Sequence, residues 1–426
     1  MYVNAIELEE HNEPRRKRLA MELEHISEQV GADKCRQVID LLRKFEIAIP
    51  SWALGAGGTR FGRFGFGGEP STLAEKIEDV GLLQQLNRAS GAISLHIPWD
   101  IPEDPESIRR LAASYGLRFD AVNSNTFQDQ PGQPYSYKYG SLHHVDVRVR
   151  KQAIAHNVEV IRYGVALGSQ SLALWLADGS SYPGQLNFRR AFANTLESME
   201  AIYAELPSDW NLLVEYKAFE PNFYSMTIGD WGQAYLLASK LGPRAKTLVD
   251  LGHHLPNANI EQIVSLLLME EKLGGFHFND SKYGDDDLTV GCINPYQLYL
   301  VFSQLIEGMD ARGLTHATGL AWMIDASHNL KDPLEDLLQS VEAILQSYAQ
   351  ALLVDQDALR EAQEASDVVR CQELLQDAYR TDVRPLVAQA RIEQGGACAP
   401  VEFYRQHGIR KQLMQRRGVH AKATGL

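Results

Sequence analysis

Thr247-Leu-Val-Asp-Leu251 and Gly275-Phe-His-Phe-Asn279 are two short apolar runs, each carrying a polar residue near its downstream end. The span 260–273 between them keeps apolar residues at helical spacing. A strand, a helix and a second strand in this order make a parallel βαβ unit. The alternation extends outward in both directions. Strands are expected at 46–52, 92–97, 118–123, 171–176, 211–216, 247–251, 275–279 and 320–325, with helices at 105–115, 147–167, 188–204, 229–240 and 260–273 between them. Such a series closes into an α/β fold of the (β/α)8 TIM barrel type. An open doubly wound sheet would instead need a phosphate-binding turn after the first strand. The glycines of Leu54-Gly-Ala-Gly-Gly-Thr-Arg-Phe-Gly62 do not fall in the GxGxxG order.

The barrel is expected over 46–332, preceded by a helical segment at 1–45 and followed by a helical extension at 333–426. The extension lacks strand signals and reads as helices at 333–353, 355–364, 367–378 and 384–394. It is expected to pack on the barrel or on a neighbouring subunit. The basic residues at 15–18, and Arg405, Arg410, Lys411, Arg416 and Arg417 near the end, read as solvated helix faces. The chain of 426 residues has a net charge of −14 and no basic stripe, which argues against nucleic acid or an anionic membrane as partner. Cys35, Cys292, Cys371 and Cys398 form no CxxC pair and read as reduced thiols. There is no apolar signal core near Met1 and no run of 18 apolar residues, so a cytoplasmic protein is expected.

Polar side chains cluster at the C-terminal ends of the expected strands: Trp52, His96, Asn123, Trp175, Glu215, Asp250, His277 and Asp325. Barrel active sites form at that face. In Glu215-Tyr-Lys217 the acid and the ammonium are two apart and face the same side; an ion pair is the plain alternative. Asp250-Leu-Gly-His253 can present both side chains past a glycine turn, whereas His254 reads as structural. In Asp285-Asp286-Asp287, an extended loop turns 285 and 287 one way and 286 the other; a solvated acidic turn is the competing reading. His328 stands one turn beyond the site. Carboxylates with a few imidazoles suit Mn²⁺, Mg²⁺, Co²⁺ or Zn²⁺. Glu215, Asp250, His277 and Asp325 are expected to enclose one cation, and His253, Asp285 and Asp287 a second, with Asp250 as a bridge. Two divalent ions would neutralise carboxylates that otherwise repel one another. The glycine-rich loop at 55–68 is expected to be a lid or a subunit contact, since Phe61, Phe64 and Phe66 need apolar cover.

At Val214-Glu-Tyr-Lys-Ala-Phe-Glu-Pro221, Val249-Asp-Leu-Gly-His-His254, the span 274–288 and Trp322-Met-Ile-Asp-Ala-Ser-His-Asn329, the sequence resembles the bacterial broad-specificity L-rhamnose isomerases along the whole chain. It parallels xylose isomerase in its Glu-x-Lys, acid-x-x-His and Asp-x-Asp. The resemblance implies a homotetrameric barrel with Mn²⁺ and tolerance for other divalent ions. It implies a first metal at Glu215, Asp250, His277 and Asp325 and a catalytic one at His253, Asp285 and Asp287. Lys217 would bind O1 or O2 of the sugar and His96 would assist ring opening. Trp52, Phe127 and Trp175 would wall the sugar, and Phe66 would close a neighbouring subunit's pocket.

The activity these readings imply is aldose–ketose isomerisation, L-rhamnose to L-rhamnulose and other aldoses such as D-allose to D-psicose. Ring opening would be followed by hydrogen transfer between C2 and C1; a hydride route retains a C2 deuterium at C1 and an enediol route loses it to solvent. Three alternatives stand beside it. A ketose 3-epimerase would need two opposed carboxylates around one metal, a nuclease is opposed by the net charge, and a metal-stabilised scaffold would leave Lys217→Ala silent.

Overall fold

The computed structural model describes residues 3–55, 64–313, 319–327 and 330–419. Among them the strands are, in chain order, β1 (Ala48–Pro50), β2 (Ala92–Ile97), β3 (Arg118–Ser124), β4 (Ser171–Trp175), β5 (Gly179–Ser180), β6 (Asn211–Glu215), β7 (Ser225–Met226), β8 (Ala245–Asp250), β9 (Leu273–Phe278) and β10 (Ala321–Ile324). All except β5 and β7 form one closed parallel barrel in the order β1-β10-β9-β8-β6-β4-β3-β2. The short pair β5 and β7 forms an antiparallel ribbon.

Period-two alternation explains where the polar tips stand. Ala48, Ala92, Ala121, Ala173, Leu213, Leu248, Ala321 and Met323 fill the barrel interior. Two residues further along their strands come Asn123, Trp175, Glu215, Asp250 and Asp325, so each polar side chain faces the same axis one layer higher. Register levels them: Trp175 pairs with Glu215, Asp250 with His277, and His96 with Asn123. β9 and β10 approach so closely that a Cβ on Gly275 would lie 2.2 Å from the Ala321 carbonyl oxygen, which no side chain could accept.

The helices are α1 (Ala5–Val30), α2 (Ala32–Leu42), α3 (Leu73–Asn87), α4 (Pro105–Ser114), α5 (Val147–Leu167), α6 (Phe188–Ala204), α7 (Trp231–Leu241), α8 (Ile260–Met269), α9 (Pro295–Ala311), α10 (Pro333–Leu352), α11 (Gln356–Glu364), α12 (Val368–Arg380), α13 (Arg384–Glu393), α14 (Pro400–Gln406) and α15 (Ile409–Arg417). Asp104, Asp146, Asn187, Asp230, Asn259 and Asp332 start α4, α5, α6, α7, α8 and α10 by accepting first-turn N–H groups. The helix expected at 260–273 ends at Met269, because Glu271 turns left-handed (φ 57°) and β9 begins at Leu273.

α10 packs on α9 and α3, the place of the eighth helix of the ring, and we assign it to the barrel rather than to the extension. α1 and α2 pack with each other and with α13, so the first two helices and one helix of the C-terminal segment form one layer beside the barrel. Behind β9 and β10, Phe276, Phe278, Phe302 and Trp322 stack at centroid distances of 5.1 to 6.0 Å. Each such buried ring contributes roughly 1.5–3 kcal/mol by burial alone, which makes the strands carrying His277 and Asp325 a rigid support. No helix of the described residues is long and apolar enough to cross a membrane.

Candidate metal centre

Glu215 ends β6, Asp250 ends β8, His277 is the last residue but one of β9, and Asp325 follows β10 directly. Each offers a ligand atom, and these atoms lie within 4.8 Å of one another. His277 Nδ1 stands 3.1 Å from Glu215 Oε1, 3.6 Å from Asp250 Oδ2 and 3.9 Å from Asp325 Oδ2. Asp250 Oδ1 is taken up by the Gly252 N–H at 2.7 Å and Asn279 Nδ2 at 2.9 Å. Its Oδ2 is buried with no hydrogen-bond partner among the described residues. A buried carboxylate oxygen left in this state is costly unless a cation meets it.

Asp250 also belongs to a second group, with His253 and Asp285. His253 Nδ1 faces two acceptors, the Tyr216 carbonyl at 3.0 Å and Glu215 Oε1 at 3.2 Å, so it carries the hydrogen. In the neutral ring that tautomer would turn the Nε2 lone pair toward the group, where Nε2 stands 3.3 Å from Asp285 Oδ1 and 3.9 Å from Asp250 Oδ2. Asp285 Oδ2 in turn accepts from Lys217 Nζ at 2.5 Å. Asp287 stands beside the second group rather than within it. Its Oδ2 accepts from Ser327 Oγ at 3.2 Å, and its Oδ1 is buried without a partner among the described residues. Asp286 faces away and caps its own turn, accepting from the Lys282 and Tyr283 N–H groups at 2.7 and 3.1 Å.

The electrostatics of the bare residues show what the group lacks. Burial, then the neighbouring Asp285 and Asp325, push the Asp287 carboxyl well above its ordinary range. Burial first, and Asp250 and Glu215 after it, raise Asp325 to about 6 against the pull of His277. Burial would lower His253 and His277, but the carboxylates around them outweigh it and raise both. Acids this crowded hold protons unless positive charge replaces them. Oxygen ligands with two imidazoles and a shared aspartate fit divalent cations in both overlapping groups.

Above these groups lies a cavity of about 600 Å³. Its wall is a chain of rings. Trp52 meets His96 edge-on at 5.6 Å, His96 meets Phe127 at 5.5 Å, and Phe127 meets Trp175 at 4.8 Å. Both ends of the chain reach the polar group: Trp52 Nε1 donates to Asp325 Oδ1 at 2.8 Å, and Lys217 Nζ lies 5.3 Å over the Trp175 ring. Burial lowers His96 to about 3, with His156 and Lys76 adding to it, so the imidazole is neutral near pH 7. Its Nδ1 has no hydrogen-bond partner among the described residues.

The sequence-predicted residues Trp52, His96, Phe127, Trp175, Glu215, Lys217, His253, His277, Asp285, Asp287 and Asp325 all line this one cavity. Asp250 lies fully buried beneath it. Phe66 does not line it and is 37% exposed, with its N–H held by Glu69 Oε1 at 2.5 Å. His254 is turned outward from the group and accepts from Tyr216 Oη at 2.7 Å. Phe61 and His328 lie outside the described residues. Sequence reasoning missed Trp99, which stacks on His96 at 3.9 Å, and Asp100, whose Oδ2 accepts from the His96 N–H and Ser51 Oγ while Oδ1 meets Lys76. The signal was present in Pro98-Trp-Asp100, directly after strand β2. It also missed Asn279, which holds Asp250, and Glu220 on the cavity rim.

Comparison with known proteins agrees with this fold. The profile of the xylose isomerase-like TIM barrel family matches residues 85–334. A probable sugar isomerase of Rhizobium meliloti (strain 1021) is 49% identical, over 98% of this chain and 97% of that protein. A probable sugar isomerase of Mesorhizobium japonicum is 49% identical, over 99% and 98%. Among solved structures, the D-allulose 3-epimerase from Methylomonas sp. superposes with a TM-score of 0.51 at 14% identity, over 72% of this chain and 98% of that one, a likeness of fold alone. With a family profile spanning more than half its length and relatives this similar from end to end, the chain belongs to the xylose isomerase-like TIM barrel family.

Proposed function

We propose that the protein is a metal-dependent aldose–ketose isomerase that interconverts L-rhamnose and L-rhamnulose and accepts further aldoses such as D-allose. The observation that carries this reading is Asp250, shared by two overlapping ligand groups, the second of which reaches Lys217 through Asp285. A single-metal site would use neither the sharing nor the lysine. Both 49% identical relatives bear the name of probable sugar isomerases, which supports the same class.

Glu215, Asp250, His277 and Asp325 would hold one divalent ion, and His253, Asp285 and the shared Asp250 a second with Asp287 beside it, Mn²⁺ being the first choice. Bound there, such ions supply Lewis acidity to substrate oxygens and offset the crowded carboxylates. His96, neutral in its aromatic cage, would take the ring hydroxyl's proton and return it to the ring oxygen as the sugar opens. Lys217, held by Asp285, would donate a hydrogen bond to O1 or O2 and steady the charge that develops there while hydrogen moves between C2 and C1. Asp287 would hold a proton or a cation beside the same carbons. The rings of Trp52, Phe127 and Trp175 would pack the apolar face of the sugar and exclude water. Phe66, exposed on its loop, would cover the pocket of a neighbouring subunit in a homotetramer.

The test is a panel of aldoses assayed for ketose after chelation and after Mn²⁺ is restored. Ketose from L-rhamnose only in the restored sample supports the reading. C3 inversion of ketoses with no aldose formed would reassign the protein as a 3-epimerase.

A further inference from the structure

Glu220 stands on the segment between β6 and β7 and lines the cavity, yet it belongs to neither metal-ligand group. Its Oε2 lies 3.6 Å from Lys217 Nζ, and its side chain is 18% exposed. The residue adopts a left-handed backbone (φ 72°), a conformation that glycine takes readily and glutamate does not. The fold keeps it there: the Glu220 N–H donates to the Asn222 carbonyl at 3.0 Å, and Asn222 Nδ2 anchors to the Ala177 carbonyl at 2.7 Å, beside the β5–β7 ribbon. A non-glycine residue held in this region beside a binding cavity commonly marks a functional constraint.

Lys217 already has Asp285 at 2.5 Å, and a second, largely buried carboxylate adds desolvation cost. A carboxylate is an acceptor without a donor of its own, and a neutral sugar brings hydroxyl donors. We propose that Glu220 contacts the substrate, accepting a hydrogen bond from one sugar hydroxyl beside the Lys217 ammonium, and thereby sets which aldoses are used. An apolar ring wall discriminates hydroxyl configuration weakly, whereas a group built to receive a hydroxyl rejects an analogue lacking it strongly. The ring wall alone therefore leaves specificity to polar groups such as this one.

The inference rests on the reading of the protein as an aldose isomerase, and the experiment separates the two. Glu220→Ala and Glu220→Gln are compared with wild type on an aldose and its monodeoxy analogues. Manganese content and melting temperature are measured on each protein, and sugar binding is followed by tryptophan fluorescence. A charge-assisted hydrogen bond predicts a loss of roughly 10–100-fold in kcat/KM for Glu220→Ala, expressed mainly in KM. Glu220→Gln, which still offers a carbonyl oxygen, loses less. Manganese content stays unchanged, and for one monodeoxy sugar the substitution has no effect, which identifies the hydroxyl received. An equal loss on every analogue, no loss at all, a fall in manganese content, or a wild type that binds no sugar overturns the proposal. A wild type that binds aldoses without turning them over, with binding lost in Glu220→Ala, sinks the isomerase reading and leaves Glu220 standing.

Discussion

Trp52 Nε1 donates to Asp325 Oδ1 at 2.8 Å, joining the aromatic wall to the first ligand group. The indole is thus both a packing surface and the partner that orients a carboxylate, leaving Asp325 Oδ2 toward His277. Trp52→Phe keeps a ring in the wall and removes the donor. Outer partners of this kind are worth about 10–100-fold in metal affinity. Calorimetric titration of the chelated protein with Mn²⁺ is expected to show weaker binding by that order, with the melting temperature of the metal-free protein nearly unchanged. Unaltered affinity would mean that Asp325 is oriented by other contacts.

Two aspartates in one sequence neighbourhood separate ligand from turn. Asp285 faces His253 and Lys217, whereas Asp286 caps the turn at Lys282 and Tyr283. Asp285→Asn is expected to lower the Mn²⁺ stoichiometry measured after dialysis. Asp286→Asn is expected to preserve it, at a stability cost of about 1 kcal/mol for the weakened cap. Asp250→Asn should impair both groups at once, since both use it. The reverse pattern, with Asp286→Asn losing metal and Asp285→Asn keeping it, would place the register of the loop one residue out.

Lys217 distinguishes an enzyme from a metal-stabilised scaffold. Burial disfavours its charge, but Asp285 and the acids near it outweigh this and raise its pKa, so it is an ammonium at neutral pH. Lys217→Met keeps the stem and removes the charge. It is expected to reduce kcat by a factor on the order of 10²–10³, the loss typical of one preorganised donor, while manganese content stays near that of wild type. Full activity in this variant would remove the lysine from the mechanism.

The barrel was legible because its evidence is repeated and local: each strand is a short apolar run with a polar tip, and period two alone sends Leu213 and Glu215, or Leu248 and Asp250, toward one axis. The residues gathered at the cavity were legible for the same reason, since strand ends converge wherever strands close into a barrel. What sequence did not disclose is set by angles and loops. Trp99 and Asp100 act on His96 through a tight turn, and Asn279, just past β9, reaches Asp250 on the neighbouring strand β8. Glu220 is brought to Lys217 by a left-handed backbone that no composition rule foretells. Asp287 shows the limit of alternation: it shares the cavity with Asp285, but its carboxylate bonds Ser327 and falls outside the second ligand group.

His96 links the cavity to acid stability. Its pKa is about 3 in the fold against an ordinary 6.5, chiefly through burial. Between those values the unfolded chain binds the proton and the folded one does not, so stability rises with pH across the window. The contribution is complete above about pH 6.5 and is lost as pH falls toward 3, by an amount on the order of several kcal/mol. His254, at about 4, adds a slope of the same sign. Urea unfolding of metal-free wild type and His96→Gln between pH 7 and pH 4.5 is the measurement. The wild type is expected to lose more stability over that range, and parallel curves would show that His96 titrates normally.

The C-terminal helix fixes the root of the glycine-rich loop. Arg410 meets Asp332 through Nε at 2.8 Å and Nη2 at 2.5 Å, and its Nη1 donates to the Gly67 carbonyl at 3.2 Å. Arg417 donates to the Gly68 carbonyl at 3.2 Å and to Asp79 at 2.8 Å. Gly68 itself bonds Gly418 through its N–H at 2.9 Å and packs so closely on Leu413 and Met414 that no Cβ would fit. Asp332 also caps α10 by accepting the Leu334 N–H at 3.0 Å, so one carboxylate ties the last helix of the barrel to α15. Removing one partner of a mostly buried ion pair typically costs about 3–5 kcal/mol, because the other charge is left without compensation. The pair is 14% and 10% exposed, so the lower end of that range is expected for Arg410→Ala in urea unfolding. The substitution also frees the segment carrying Phe64 and Phe66, and chymotrypsin is expected to cleave there faster than in wild type at a urea concentration where both proteins remain folded. Arg410→Lys, which keeps the charge but cannot span Asp332 and Gly67 together, should fall between the two. Equal cleavage rates in all three proteins would show that the loop is held by Arg417 and the glycine packing alone.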